Sequence, residues 1–180
     1  MSKVYVFLAD GFEEIEGLTV VDLLRRAGEE VETVSIMGRK MIEGSHKIKV
    51  EADALFEETD FTEGKMLVLP GGMPGTRHLG AYKPLTDMLC DWDTKGKQLA
   101  AICAAPGMIS ETGILKEKHA TGYPGCKPEG GAIWSEDAAV VDGNLVTGKG
   151  PGAAAEFAIE IIRYLTGDIK AEQIRTSTMM

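Results

Sequence analysis

The chain has 180 residues, 44% of them hydrophobic, with a formal net charge of -9 and a pI near 4.9. That length fits one domain over 1–180 with a full core, and an acidic balance without a basic cluster argues against nucleic acid as a partner and against attraction to an anionic membrane surface. Cys90, Cys103 and Cys126 form an odd set with no close pair, which points to free thiols in a reducing compartment, with the cytoplasm as the default, rather than a disulfide framework.

Val4-Tyr5-Val6-Phe7-Leu8-Ala9 is an apolar run closed by Asp10-Gly11; it is too short for a signal peptide and reads as a first strand. From Ile15 the apolar residues take helical spacing through Leu18, Val21, Leu23 and Leu24, and Ala27-Gly28 ends that helix. Val31 to Ile36 alternates as a second strand. His46 to Val50 reads as part of a small hairpin near the sheet edge. Met66 to Leu69 is a buried strand closed by Pro70-Gly71-Gly72. Leu85, Met88, Leu89 and Trp92 share one face of a helix from Pro84 to about Lys95, and Leu99 to Ile102 is the next strand. A helix from Ala105 ends near Gly113. Short strands at Ala138 to Val141 and Leu145 to Thr147 flank the turn Asp142-Gly143-Asn144, and Ala153 to Leu165 is a final helix. The polar tail after Asp168 is expected to pack weakly. No segment approaches the roughly 20 apolar residues of a membrane span. This alternation predicts an α/β fold, a mostly parallel sheet with helices on both faces. Ligands of such folds gather outside the carboxyl ends of the strands, where Asp10-Gly11, Gly71-Gly72, Cys103 and Gly150-Pro151-Gly152 fall.

Cys103 stands where the strand Leu99 to Ile102 meets the small residues Ala104-Ala105-Pro106-Gly107. A tight reversal there aims the thiol at the first N–H groups of the following helix, whose dipoles favour thiolate. Free cysteine is also a common small core residue, but this junction favours the reactive reading. In Glu13-Glu14-Ile15-Glu16, Glu16 is the candidate to turn inward over the strand ends; the alternative is a solvated first turn. If Glu16 reaches Cys103, burial raises its pKa and keeps it protonated, ready to donate to sulfur and to exchange protons with substrate carbons. Gly71-Gly72 is either a pair of bare N–H donors for an oxyanion or a plain turn. Gly150-Pro151-Gly152 is either part of the site or a rigid lead-in to the last helix. No glycine pattern matches a Walker loop or a dinucleotide fingerprint, so no nucleotide cofactor is expected. His46, His78 and His119 lack metal-ligand spacing with one another or with the cysteines, so no metal is expected. Cys90 reads as packing, and Cys126, in the loop Gly122-Tyr123-Pro124-Gly125-Cys126, is a second oxidation candidate.

Taken in order, Ala9-Asp10-Gly11-Phe12-Glu13-Glu14-Ile15-Glu16, Val21-Asp22-Leu23-Leu24-Arg25-Arg26-Ala27-Gly28, Leu69-Pro70-Gly71-Gly72, Ala101-Ile102-Cys103-Ala104-Ala105-Pro106 and Gly148-Lys149-Gly150-Pro151-Gly152 resemble the ThiJ/PfpI superfamily, in particular the branch of the parkinsonism-associated protein deglycase and YajL. The resemblance covers nearly the whole chain. It implies a flavodoxin-like three-layer sandwich, usually a homodimer, with Cys103 as reactive elbow cysteine, Glu16 as its carboxyl partner, and Gly71 and Gly72 shaping an oxyanion pocket. Ala104 stands where protease-like members carry a histidine, which weakens a cysteine peptidase reading. Tyr123-Pro124 stands where the deglycase branch often has histidine before proline; Tyr123 can donate a hydrogen bond but is no base near neutral pH.

The function expected is that of a cofactor-independent glyoxalase or protein deglycase acting on a small 2-oxoaldehyde or its adduct on an amine or thiol. The alternative is a cysteine-based oxidative-stress sensor or holdase. Thiazole monophosphate metabolism, suggested by the superfamily name, has no legible phosphate cradle.

Overall fold

The computed structural model describes residues 3–128 and 130–180. In chain order its elements are β1 (Lys3–Leu8), α1 (Glu14–Arg26), β2 (Val31–Ser35), β3 (Met41–Glu43), β4 (Lys49–Glu51), β5 (Ala54–Leu55), β6 (Gly64–Leu69), α2 (Gly75–Ala81), α3 (Lys83–Thr94), β7 (Gln98–Ile102), α4 (Ala105–Ser110), β8 (His119–Ala120), β9 (Ile133–Trp134), β10 (Ala139–Asp142), β11 (Leu145–Gly148), α5 (Ala154–Thr166) and α6 (Asp168–Ser177).

Pleating sends successive side chains to opposite faces, and that alternation divides the core in two. Val4, Val6 and Leu8 of β1, Met66 and Val68 of β6, and Ala100 and Ile102 of β7 face α1, α5 and α6. Tyr5, Phe7, Leu67, Leu69, Leu99 and Ala101 face the other way, toward α2, α3 and α4. Strands covered on both faces must be apolar throughout, which is why these segments read as continuous hydrophobic runs.

Seven strands form the main sheet in the order β10-β11-β7-β6-β1-β2-β5. All neighbours are parallel except the antiparallel pair β10 and β11. From β1 the chain winds outward through β2 to β5, then returns to β6 on the other side of β1 and continues to β7 and β11. The direction of winding therefore reverses between β1 and β6, and α/β sheets bind ligands outside the strand ends at such a point.

The hairpin expected at His46 to Val50 is β3 with β4, with Ile42 opposite Val50, and it forms its own two-stranded sheet. The helix from Ala105 stops at Ser110 and gives way to turns before Gly113. The weakly packed tail is corrected: residues after Asp168 form α6, which buries Ala171 and Ile174 against α5. Arg175 Nη2 also donates to both carboxylate oxygens of Glu156 at 2.7 Å. Among the described residues no helix is long and apolar enough to cross a membrane.

Candidate active site

Strands β1, β6 and β7 end side by side at the reversal, and each is followed by one part of the site. Beyond β7, Cys103 takes a φ of 65°, a left-handed conformation that costs a residue with a side chain about 1–2 kcal/mol. Two backbone hydrogen bonds hold it there. The Cys103 N–H donates to the Gly148 carbonyl at 2.9 Å, and the Cys103 carbonyl accepts from the Tyr123 N–H at 2.8 Å. The elbow is thus pinned between the end of β11 and the loop that precedes Pro124. Its side chain sits at the sheet edge with 9% exposure, enough for a small reagent to touch and too little for free solvation.

Past β1, Glu16 turns inward from the first turn of α1 and is fully buried. Its Oε2 accepts the Gly71 N–H at 2.8 Å, while Oε1 is buried and has no hydrogen-bond partner among the described residues. Burial pushes the Glu16 pKa up to about 7; the Cys103 thiol and the Gly71 N–H pull it down, and the charge of Glu13 adds to the rise. A carboxyl in that range is the one group here able to hold a proton or give it up near neutral pH.

Gly71 follows β6, and the site requires it to be glycine: a Cβ there would lie 2.6 Å from Cys103 Cβ and 2.6 Å from Glu16 Oε2. Its N–H, expected to face an oxyanion, is instead committed to Glu16. The backbone N–H groups of Gly72 and Ala104 are the ones that act on the sulfur. Gly72 has a φ of 92°, and a Cβ on it would run into the Glu13 nitrogen at 2.3 Å.

The expectation that helix dipoles favour thiolate is outweighed. Burial and then the negative charge and hydrogen bonding of Glu16 push the Cys103 thiol up, against the N–H groups of Ala104 and Gly72. The following helix has only six residues. Cys103 and Glu16 are therefore one coupled acid: a single proton shared between them leaves one negative charge in the pocket instead of two. With the proton on Glu16, the repulsion that opposes thiolate disappears.

Of the other residues singled out in the sequence, Ala104 lies beside the sulfur at the start of α4. Tyr123 is brought to the elbow through its N–H, with its ring carbon Cδ2 over Gly150 and half its surface exposed. Gly150-Pro151-Gly152 leads through a short 3₁₀ turn into α5. Cys126 is partly exposed on the wall of a cleft of about 670 Å³ that opens beside Ala104 between α2 and α4. The spacing of histidines and cysteines missed one cluster, because it needs two adjacent glutamates: Glu13, Glu14 and His46 offer ligand atoms within 4.8 Å of one another. Glu14 is already occupied there, accepting from the His46 N–H at 2.8 Å and facing His46 Nδ1 at 3.1 Å, so the group is an ion-pair network in this structure.

The family model described as DJ-1/PfpI family matches residues 2–164. Over 178 residues the chain is 35% identical to protein dj-1beta of Drosophila melanogaster, covering 97% of this chain and 95% of that protein. It is 32% identical over 166 residues to a deglycase of Pyrococcus abyssi, covering 91% and 99% respectively. It is 34% identical to protein DJ-1 homolog B of Arabidopsis thaliana across 99% of this chain, which spans only 41% of that longer protein. Among solved structures, Toxoplasma gondii DJ-1, described as oxidized, superposes with a TM-score of 0.92 at 33% identity, covering 99% of this chain and 98% of that one. The match to Drosophila melanogaster DJ-1beta has a TM-score of 0.93 at 33% identity over 100% and 99% of the two chains. The architecture is the flavodoxin-like sandwich of these proteins.

Proposed function

The chain belongs to the DJ-1/PfpI family, and from that premise we propose that it is a cofactor-independent enzyme that converts 2-oxoaldehydes, or their adducts on amines and thiols, to 2-hydroxy acids. The observation that carries the reading is Glu16, buried against Cys103 with its pKa raised to about 7. A relative named as a deglycase supports the same chemistry.

The Cys103 sulfur adds to the aldehyde carbon and the proton on Glu16 passes to the carbonyl oxygen, giving a hemithioacetal. Where the substrate is an adduct, the Glu16 proton passes instead to its amine or thiol, which departs as sulfur takes its place. Glu16, now a carboxylate, removes the proton from that carbon, and the resulting enediolate is reprotonated at the neighbouring carbon. The product is a thioester of Cys103 with a 2-hydroxy acid. Water adds to it and sulfur leaves. One water is consumed and the substrate's two carbons exchange oxidation level, so no external oxidant is required. The N–H groups of Gly72 and Ala104, which favour negative charge on the Cys103 sulfur, serve in this reading as the donors to the oxyanions on either side of the enediolate.

The test follows carbon-labelled methylglyoxal by NMR with wild type and Cys103→Ser. Catalytic lactate from the wild type alone supports the mechanism; lactate from both, or from neither, removes it. A second reading, an oxidation sensor, is favoured by the relative solved in a form described as oxidized. It expects stable addition of two oxygens at Cys103 after mild peroxide, seen by mass spectrometry, without aldehyde turnover.

A further inference from the structure

The cleft of about 670 Å³ that opens beside Ala104 is far larger than a three-carbon aldehyde requires and falls in the range of sites that hold drug-sized ligands. Glycines shape it. A Cβ at Gly80 would meet Met108 Cγ at 2.8 Å, and one at Gly107 would meet the Cys126 carbonyl oxygen at 2.1 Å, so both walls close only over bare backbone.

Its polar lining is uneven. Thr76 is 3% exposed, and its Oγ1 is buried with no hydrogen-bond partner among the described residues, a state that is costly for a hydroxyl unless a ligand supplies the bond. The next residue, Arg77, is exposed on the same lining and enters no ion pair or side-chain hydrogen bond among the described residues. Lys127, the other cation of the cleft, is engaged with Glu136 at 2.6 Å and with the Ser135 carbonyl at 3.1 Å. The lining also holds one acidic residue, Glu111, just past the end of α4. Helices α2 and α4 each follow a strand of a parallel pair and run back from the same sheet edge, so Thr76 and Arg77 share that edge with Ala104, whereas Glu111 lies beyond the last turn of α4.

We propose that this cleft is a subsite for the carboxylate arm of the substrate. Arg77 pairs with the carboxylate, the Thr76 hydroxyl donates to it, and the dicarbonyl carbon lies at Cys103. The inference rests on the 2-oxoaldehyde reading and narrows it to adducts that carry an acid group, such as the hemithioacetal of methylglyoxal with a cysteine-containing acid. Guanidinium recognises a carboxylate through paired N–H donors, so the acid is favoured over its neutral amide.

The experiment measures calorimetric binding of S-acetonyl-N-acetylcysteine, a thioether that carries the ketone and the carboxylate, and of its amide, to wild type, Arg77→Gln and Thr76→Val. Wild type is expected to bind the acid about tenfold or more tightly than the amide, a ratio ordinary for one charge-assisted contact. Arg77→Gln is expected to bring that ratio to about one, and Thr76→Val to weaken the acid severalfold while leaving the amide unchanged. Equal binding of acid and amide by the wild type, or a preference that survives Arg77→Gln, overturns the subsite. Because the thioether needs no turnover, absence of lactate with wild type removes the enzymatic reading alone, and the binding ratios still decide the subsite.

Discussion

Replacing Glu16 by Gln keeps an acceptor for the Gly71 N–H and removes the only feature of this side chain that depends on pH. Its pKa is raised from 4.5 in the ordinary state to about 7 in the fold, chiefly by burial. A group raised in this way favours the native state fully below pH 4.5, and that contribution is lost as pH rises through the folded value. Above it, ionised Glu16 sits buried where the unfolded chain would hydrate it. At about 1.4 kcal/mol per pH unit of separation, the native state is penalised by about 3 kcal/mol, more than a hundredfold in the unfolding constant. Urea unfolding of wild type and Glu16→Gln at intervals from pH 4 to pH 8 reads this directly. The stability of the variant minus that of wild type is expected to grow by about 3 kcal/mol between pH 4.5 and the region above 7, and then to level. Taking the difference cancels groups common to both proteins, including His46, whose pKa is raised by its hydrogen bond to Glu14 and by the charge of Glu13. A difference that stays constant across the range would refute the claim that a buried, proton-holding Glu16 defines the site.

Gly71→Ala brings a methyl within 2.6 Å of both Cys103 Cβ and Glu16 Oε2, so it is expected to cost about 1–3 kcal/mol in thermal unfolding and to slow alkylation of Cys103; unchanged values in both assays would mean the pocket yields freely. The docking of α6 separates two isoleucines of that helix. Ile174, 7% exposed, should cost about 2 kcal/mol or more when cut to Ala, whereas Ile169, 78% exposed, should cost less than about 0.5 kcal/mol. Equal small losses would show that α6 contributes nothing to the core.

The long parallel strands were legible because burial on both faces leaves an uninterrupted apolar signature in β1, β6 and β7. Elements that bury little were not. α2 has the sequence Gly-Thr-Arg-His-Leu-Gly-Ala, with Leu79 as its one large buried side chain and two glycines against helix propensity, so tertiary packing holds it where no periodicity announces it. α6 hides Ala171 and Ile174 among charged neighbours, too narrow a stripe to separate from a disordered tail. Ile15 shows the opposite error: it fits the helical spacing of α1 yet is 53% exposed, on the side turned away from Val20 and Leu24.

At the site, Cys103 could be read from a strand meeting a run of small residues, because backbone geometry at that junction is a local property. The inward turn of Glu16 is not local. Three carboxylates in four residues satisfy the same spacing, and the choice among them is made by Gly71, 55 residues away, whose bare Cα leaves room for Oε2 and whose N–H holds it. The charge state of the sulfur is likewise decided across the fold: burial and the Glu16 carboxylate act on it from the end of β1, and they outweigh the short α4 that follows it in sequence. These two non-local facts have one consequence. A thiol whose ionisation is opposed by its neighbour's charge becomes nucleophilic when that neighbour takes the proton, so in the proposed reaction the group that suppresses idle thiolate is the same group that releases it when a carbonyl oxygen or a carbon is ready to exchange the proton. The instability expected of ionised Glu16 and the reactivity of Cys103 therefore have a common origin, and a substitution that relieves the first should also remove the second.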